Sequence, residues 1–322
     1  MSQDAFERRH GADWTRLEGI LDELERPGEG AERTDAFPEL YRAVCAELAL
    51  ARHRGYTAAL VDRLNALALR GYRQLYPGAT RTGLSLREFV IAGFPRAVRA
   101  EARLLWISAA LSLGVGLASA WLVSRWPDLA YSFLGPDAVH NVEAMYDPAS
   151  RHFLRPRESD SDVLMFGFYI RNNIGISFRI FAGGMLAGLG SVFFLVYNGM
   201  TLGAVAAHLT RVGFGGTFWP FVIGHGAFEI TAIVLSGQAG LMMGRALLWP
   251  GRRSRGRALG ETARATLPLV YGFAGMLLIA AALEAFWSSS SLLPSDLKLS
   301  VGAALWVAVI AYFALAGRSR GP

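Results

Sequence analysis

Two ionisable side chains, His225 and Glu229, lie four positions apart in the apolar stretch FVIGHGAFEITAIVLSGQAGLMMG, residues 221–244. In a helix this spacing places the imidazole and the carboxylate on one face. The stretch is long and apolar enough to cross a bilayer. Ionisable groups are costly there, so they mark either a paired structural contact or a functional site.

Other polar residues are expected at the same membrane depth. A helix that enters from outside at residue 217 places His225 about 12 Å and Glu229 about 18 Å along its axis. The sequence therefore predicts one polar intramembrane cluster, formed by Asn172, Asn173, Arg179, Asn198, His225, Glu229 and Glu284. Arg179 has two alternatives, because its side chain either snorkels to a headgroup or pairs with an acid of the cluster.

The sequence alone leaves three interpretations of the cluster open. In the first, its members hydrogen-bond each other or neighbouring helices, which stabilises packing by only about 0.6 to 2 kcal/mol per bond. In the second, they form a titratable path for a proton or an ion. In the third, an intramembrane hydrolase, His225 and Glu229 share a metal, although HGAFE lacks the second histidine of a zincin helix. Since the chain has no nucleophile elbow, phosphate-binding loop or dinucleotide fingerprint, we expect no enzyme, no cofactor and no resident metal.

Composition indicates an integral membrane protein. Hydrophobic residues make up 52% of the chain and charged residues 18%, with a mean hydropathy of +0.30. A soluble domain would carry about a quarter charged residues. The single cysteine, Cys45, excludes an internal disulfide framework. The charged start, MSQDAFERRHGADW, predicts no cleavable signal peptide.

The positive charge is concentrated next to an apolar run. The net charge is +6, and the densest basic cluster is RRSRGR. A basic cluster at this position is typical of contact with anionic lipid headgroups, and no recognition module for nucleic acid accompanies it. The residues expected to contact headgroups are Arg252, Arg253, Arg255 and Arg257.

The chain divides near residue 103. Residues 1–102 are charged and show amphipathic helical stripes, which predict a cytoplasmic or membrane-peripheral helical domain. The last segment of this part starts at a cap, Ser85, and should kink or break at Pro95; it packs either on the membrane surface or on the three preceding helices. Residues 103–322 predict an all-α transmembrane bundle, with apolar runs at 104–124, 174–209, 217–244, 267–287 and 299–316.

The 174–209 run is too long for one crossing. As a helix it would extend about 54 Å, whereas the hydrocarbon core is about 30 Å thick. Asn198-Gly199 is a turn signal within it and predicts a hairpin, either two full crossings or a span followed by a re-entrant helix. The 245–266 loop holds six arginines and one acid, so it should face the cytoplasm. With about six crossings, both termini are then cytoplasmic.

Three small-xxx-small patterns, GMLAG, GMTLG and GLMMG, predict close helix packing. They allow two backbones to approach each other, either within one chain or between the copies of a homo-oligomer. The packing residues are Gly184, Gly188, Gly199, Gly203, Gly240 and Gly244.

Three segments, NNIGISFRIFAGGMLAGLGSVFFLVYNGMTLGAV, HGAFEITAIVLSGQAGLMMGRALLWPG and AALEAFW, together resemble the stage II sporulation protein M family of bacterial membrane proteins. The resemblance covers roughly 100 to 317. Upstream, ELYRAVCAELALAR and LNALALRGYRQLY resemble the cytoplasmic extension of larger members of the family. The resemblance implies a bacterial inner-membrane protein, and the sporulation members belong to an engulfment complex with cell-wall-degrading partners.

The sequence thus predicts a multi-pass inner-membrane scaffold or assembly component, linked to remodelling of the cell envelope. Its expected partners are the lipid bilayer, other membrane or envelope proteins, and further copies of itself. The alternative is a transporter or channel subunit that uses the polar cluster as a proton or ion path.

Overall fold

The computed structural model describes residues 2–25, 36–75, 86–149, 159–290 and 292–318. These residues form α-helices with short π-helical and 3-10 turns, and no strand occurs among them, which confirms the predicted all-α class. The chain folds as two compact units, 1–84 and 85–322. This division lies before the boundary near residue 103 that the sequence pattern predicts.

The N-terminal unit contains three described helices: α1 (Gln3–Leu24), α2 (Phe37–His53) and α3 (Ala58–Leu75). Apolar residues at helical spacing form its core, because the stripes of the three helices face one another. The fully buried members are Phe6, Trp14, Leu17, Leu21, Phe37, Val44, Ala51 and Leu64. Pro38 lies in the first turn of α2, where its missing N–H costs nothing.

One carboxylate is buried in this unit and is fully paired. Glu47 accepts a hydrogen bond of 2.6 Å from Trp14 Nε1, and its other oxygen lies 2.6 Å from His10 Nδ1. On the surface, the hydrogen bonds that Arg70 donates to Glu25 and Asp22 raise the pKa of its guanidinium above the ordinary value, so Arg70 stays charged. Exposed ion pairs stabilise by only about 0 to 1 kcal/mol, so the apolar core carries most of the stability.

Residues 86–100 form one further helix, α4, made of Leu86–Glu88, a π-helical turn Phe89–Gly93, and Phe94–Ala100. The helix does not end at Pro95 but continues to Glu101, and its π-helical turn lies directly before Pro95, where the sequence predicts a kink or break. Phe94 is buried against Gly272, which has no side chain to exclude the ring. This contact places α4 in the second unit. The predicted cap, Ser85, lies outside the described residues.

The second unit continues with eight helices in the described ranges. They are α5 (Ala102–Arg125), α6 (Leu129–Leu134), α7 (Pro136–Tyr146), α8 (Ser159–Ala182), α9 (Leu189–Arg211), α10 (Gly215–Leu248), α11 (Arg255–Ser288) and α12 (Ser295–Leu315). Five of them, α5, α9, α10, α11 and α12, are long and apolar enough to cross a membrane. The sixth long helix, α8, has 24 residues and carries two arginines and two asparagines in its second half.

The turn within the 174–209 run lies earlier than predicted. Helix α8 ends at Ala182, and the chain reverses through a 3-10 turn at Gly183–Met185 and a left-handed Gly188 with φ 85°. The prediction of a turn at Asn198-Gly199 is wrong, because both residues lie inside α9. The glycines of the earlier turn allow the reversal, since Cβ atoms on Gly183 or Gly190 would collide with the opposite side of the turn.

The directions of the helices show that α8 and α9 form a hairpin. Gly199 faces the backbone of Ser112, and Gly203 faces that of Gly116. Residue numbers rise together along this contact, so α5 and α9 run parallel. The intervening α8 therefore returns the chain across the bundle. Together with α8, the five candidate spans make six long helices that run from one end of the second unit to the other.

All six glycines of the small-xxx-small patterns lie at these helix contacts. A Cβ on Gly203 would collide with the carbonyl oxygen of Gly116, and one on Gly184 would collide with that of Gly240. Gly244 similarly meets the backbone of Gly188. The patterns thus join helices of one chain, and the homo-oligomer stays a prediction that these glycines do not support.

We predict that Gly203→Ala and Gly275→Ala have opposite effects on stability. A methyl group at 203 collides with backbone and should destabilise by about 1 to 3 kcal/mol. A methyl group added at Gly275 would meet no neighbouring atom within 4 Å, so alanine there should be neutral or stabilise by up to about 1 kcal/mol. Thermal melting of both variants in one detergent measures the difference, and equal melting temperatures would contradict the proposed backbone contact.

Candidate functional site

His225 and Glu229 lie on adjacent turns of α10, in the half of the helix that starts at Gly215. The imidazole is almost fully buried, with 5% of the side chain exposed, and its Nε2 lies 3.9 Å from Glu229 Oε2. That separation is an ion-pair distance but is too long for a hydrogen bond. The ring is instead fixed through Nδ1, which lies 3.1 Å from Ser288 Oγ on α11.

The end of α11 supplies the other side of the site. A π-helical turn, Leu283–Ser288, brings Glu284 and Ser288 towards α10. Such turns widen a helix locally and are frequent at functional sites. Trp287, in the same turn, lies against Gly224, where a side chain would contact its indole. The site is therefore positioned by α10 and α11 together.

Three potential ligand atoms converge here. One atom each from His225, Glu229 and Glu284 lies within 4.8 Å of the other two. His225 is buried, and the two glutamates are partly buried. A nitrogen and two carboxylate oxygens at this separation could share a proton or hold a cation.

The two carboxylates of the site, Glu229 and Glu284, are not balanced by a cationic side chain among the described residues. Glu284 Oε2 is buried and has no hydrogen-bond partner among the described residues. The amide of buried Asn173, on α8, lies beside this carboxylate, and its Nδ2 is also without a partner in the same ranges. Two carboxylates close together disfavour double ionisation, and a buried polar atom without a partner costs about 1 to 3 kcal/mol. The site therefore favours occupation by a proton or a cation.

The remaining residues of the predicted cluster form hydrogen bonds to other groups than the two carboxylates. Asn172 donates 3.0 Å to Asn173 Oδ1 but is itself exposed. Arg179 is exposed and donates to Gly175 O of its own helix, and Asn198 donates to Phe194 O within α9. The structure thus brings together four of the seven predicted residues: Asn173, His225, Glu229 and Glu284.

Sequence reasoning missed two residues that support the site. Ser288 holds the His225 ring, and the buried Lys298 donates 2.8 Å to Ser288 O and 2.7 Å to Ser290 O, which fixes the end of α11. The spacing from Glu284 to Ser288 was a detectable signal, because residues four apart share a helix face. The role of Lys298 has no such local signal, since it depends on the packing of α12.

The predicted lipid-contact arginines are all exposed at the α10–α11 connection. Arg253 and Arg257 both pair with Glu261, at 2.6 and 2.9 Å. Arg252 and Arg255 form no ion pair within the described ranges. At least part of this charge is therefore neutralised by the chain itself, and headgroup contact stays a prediction.

We predict that His225 and Glu229 are energetically coupled. His225→Leu alone leaves carboxylates in an apolar environment, whereas the double change with Glu229→Leu removes one of them too. The double variant should therefore recover part of the loss, with a coupling energy of about 0.5 to 3 kcal/mol. Glu229→Gln should be milder than Glu229→Leu, because the amide still forms hydrogen bonds.

The measurement is thermal melting of the wild type and four variants in one detergent containing EDTA. Additive losses would show that the two residues act independently despite their proximity.

Comparison with known proteins agrees with the resemblance in the sequence. The family model of Stage II sporulation protein M matches residues 107–289, and a model described as a domain of unknown function (DUF8413) matches residues 4–77. No curated protein and no solved structure matches the chain. The first match covers more than half of the 322 residues and includes His225, Glu229 and Glu284. The chain therefore belongs to the Stage II sporulation protein M family and is a membrane protein with several apolar helices.

Proposed function

We propose that this protein is a non-enzymatic scaffold of the bacterial inner membrane that assembles other envelope proteins. The observation that carries the proposal is the pair of glycine contacts, α5 with α9 and α8 with α10, at which backbones touch directly. Four helices held in this way have few alternative arrangements, because a small shift produces a backbone collision or opens a void. A rigid frame of this kind suits assembly better than alternating access.

The ends of the bundle strengthen this frame. Arg99 on α4 donates 2.7 Å to Phe313 O and 2.6 Å to Ala316 O, and so caps the last turn of α12. The carboxylate of Glu101 forms a bidentate ion pair with the guanidinium of Arg245 at the end of α10. The start of α5 and the ends of α10 and α12 are therefore tied at one end of the unit.

The N-terminal unit supplies a surface outside the membrane. It folds around its own core, and its charges form ion pairs such as Arg63–Glu18 at 3.2 Å. A separate helical unit on a membrane frame is suited to binding a cytoplasmic or peripheral protein. We assign partner binding to residues 1–84 and membrane assembly to residues 85–322.

A second candidate function is transport. The observation that favours it is the cluster of one imidazole and two carboxylates within the bundle, with 23% of the Glu229 side chain exposed. Groups of this kind mark ion and proton pathways in membrane proteins. The two candidates differ in whether the purified protein moves an ion by itself.

We predict that proteoliposomes containing the purified protein show no proton or divalent-cation flux above protein-free vesicles. Entrapped pH- and metal-sensitive dyes measure both fluxes under an imposed gradient. Flux that is lost in His225→Ala and Glu229→Ala, and retained in the exposed control Glu261→Gln, would replace the scaffold with a transporter.

We predict that both termini and the α10–α11 connection face the cytoplasm. In a background in which Cys45 is replaced, single cysteines at Ala149 and Leu292 should react with a membrane-impermeant maleimide in intact cells. Cysteines at His53 and Gly256 should react only after permeabilisation. All four parent residues are exposed, so protection reports the membrane barrier, and external labelling at 256 would invert the topology.

A further inference from the structure

We propose that His225, Glu229 and Glu284 form a binding site for one divalent transition-metal ion, with Zn²⁺ or Mn²⁺ as the best match. The sequence alone predicts no metal, because HGAFE lacks the second histidine of a zincin helix. Folding adds a third ligand from α11. The site goes beyond the scaffold function, since an ion bound there joins two membrane helices whether or not a partner is present.

The separations suit a single ion. Zn²⁺ bonds to histidine nitrogen and carboxylate oxygen are about 2.0 to 2.2 Å long, so two ligand atoms on one tetrahedral ion lie about 3.4 Å apart. His225 Nε2 and Glu229 Oε2 are 3.9 Å apart, and all three ligand atoms fall within 4.8 Å. Binding of one ion would draw the two glutamate side chains together by rotation about their χ angles.

The second ring nitrogen of His225 is already held in the way that metal-binding histidines require. Nδ1 lies 3.1 Å from Ser288 Oγ, which orients Nε2 towards the carboxylates. Histidine ligands commonly use their other nitrogen in such a hydrogen bond, which fixes the ring and its tautomer. Lys298 holds the backbone of Ser288 and so keeps this support in place.

An independent observation also indicates a ligand. Glu284 Oε2 is buried and forms no hydrogen bond of normal geometry within the described ranges, although the amide of Asn173, which is 4% exposed, faces this carboxylate. No lysine or arginine in those ranges forms an ion pair with Glu229 or Glu284. Two carboxylates therefore approach each other in an apolar bundle without a cationic side chain. A divalent ion supplies the charge and occupies the unpartnered oxygen.

The donor set selects the class of ion. One imidazole and two carboxylates match Zn²⁺, Mn²⁺ or Fe²⁺, whereas Mg²⁺ and Ca²⁺ prefer sites made of oxygen alone. The absence of a cysteine from this set argues against a site specialised for soft ions. Three protein ligands leave a coordination position for water.

The test uses full-length protein in detergent, stripped with EDTA and desalted. Titration with ZnCl₂ or MnCl₂, followed by calorimetry and by elemental analysis of the desalted protein, should give one ion per chain. A ten-fold excess of MgCl₂ or CaCl₂ should not displace it. Zn²⁺ should also raise the melting temperature of the wild type.

Variants distinguish metal binding at this site from metal binding at other histidine and carboxylate side chains. Glu229→Gln and Glu284→Gln keep the side-chain shape and should weaken binding by at least ten-fold. Ser288→Ala leaves all three ligands in place and should weaken it by about 10- to 100-fold, through loss of ring orientation. The matched controls are His10→Gln and His208→Gln. They disrupt the two other close histidine–glutamate pairs of the described residues, His10–Glu47 and His208–Glu143, and should leave the affinity unchanged.

Two outcomes would overturn the proposal. In the first, the folded wild-type protein binds no Zn²⁺ or Mn²⁺ at micromolar concentration, and Glu284→Gln melts at a higher temperature than the wild type in EDTA. The two carboxylates would then share a proton instead of a metal ion. In the second, binding survives both glutamine variants and Ser288→Ala. If a glutamine variant fails to fold, the metal affinities of Ser288→Ala and His208→Gln are compared instead. The proposal requires weaker metal binding in Ser288→Ala than in His208→Gln.

Discussion

The arrangement of this protein depends on direct contact between helix backbones at glycine. Burying apolar side chains gives little advantage inside a bilayer, because lipid tails are as apolar as leucine, so helices associate through close packing and hydrogen bonds. At Gly203 and Gly184 the approach is so close that even a methyl group would meet a carbonyl oxygen. These contacts fix the pairing of α5 with α9 and of the α8–α9 turn with α10. The remaining helices of the second unit pack around these two pairs.

The glycine contacts and the polar cluster occupy different halves of α10. Gly240 and Gly244 lie in its second half, against α8 and the α8–α9 turn, whereas His225 and Glu229 lie in its first half. In the first half α10 meets α11 and α12 through larger groups, and Gly302 of α12 accommodates Ile223. Close packing and the polar site are thus divided between the two ends of one helix.

The sequence predicted what depends on local pattern. The helical stripes of the N-terminal unit, the positions of the apolar helices and the His225–Glu229–Glu284 grouping all follow from periodicity, hydropathy and membrane depth. The predicted turn at Asn198-Gly199 is wrong because an Asn-Gly pair indicates only a local preference for a turn. Inside an apolar helix Asn198 satisfies its amide on Phe194 O, and glycine serves packing against α5.

Features that depend on distant partners could not be predicted. Residues 86–100 resemble the helices that precede them in charge and periodicity, but they join the second unit because the Phe94 ring fits over Gly272. Gln238 is similar: its amide donates to Val98 O and Glu101 O, where the chain passes from α4 to α5. Neither contact has a sequence signature, since each joins residues more than a hundred positions apart.

The burial of Lys298 has a practical chemical consequence. It is the only lysine in the chain, it is 8% exposed, and its amine donates to two carbonyl oxygens at the end of α11. The positive charge of the surface is carried by arginine, which does not react with succinimidyl esters. Amine-directed dyes and cross-linkers will therefore leave the folded side chains untouched. Reaction at Lys298 would report that α11 and α12 have separated.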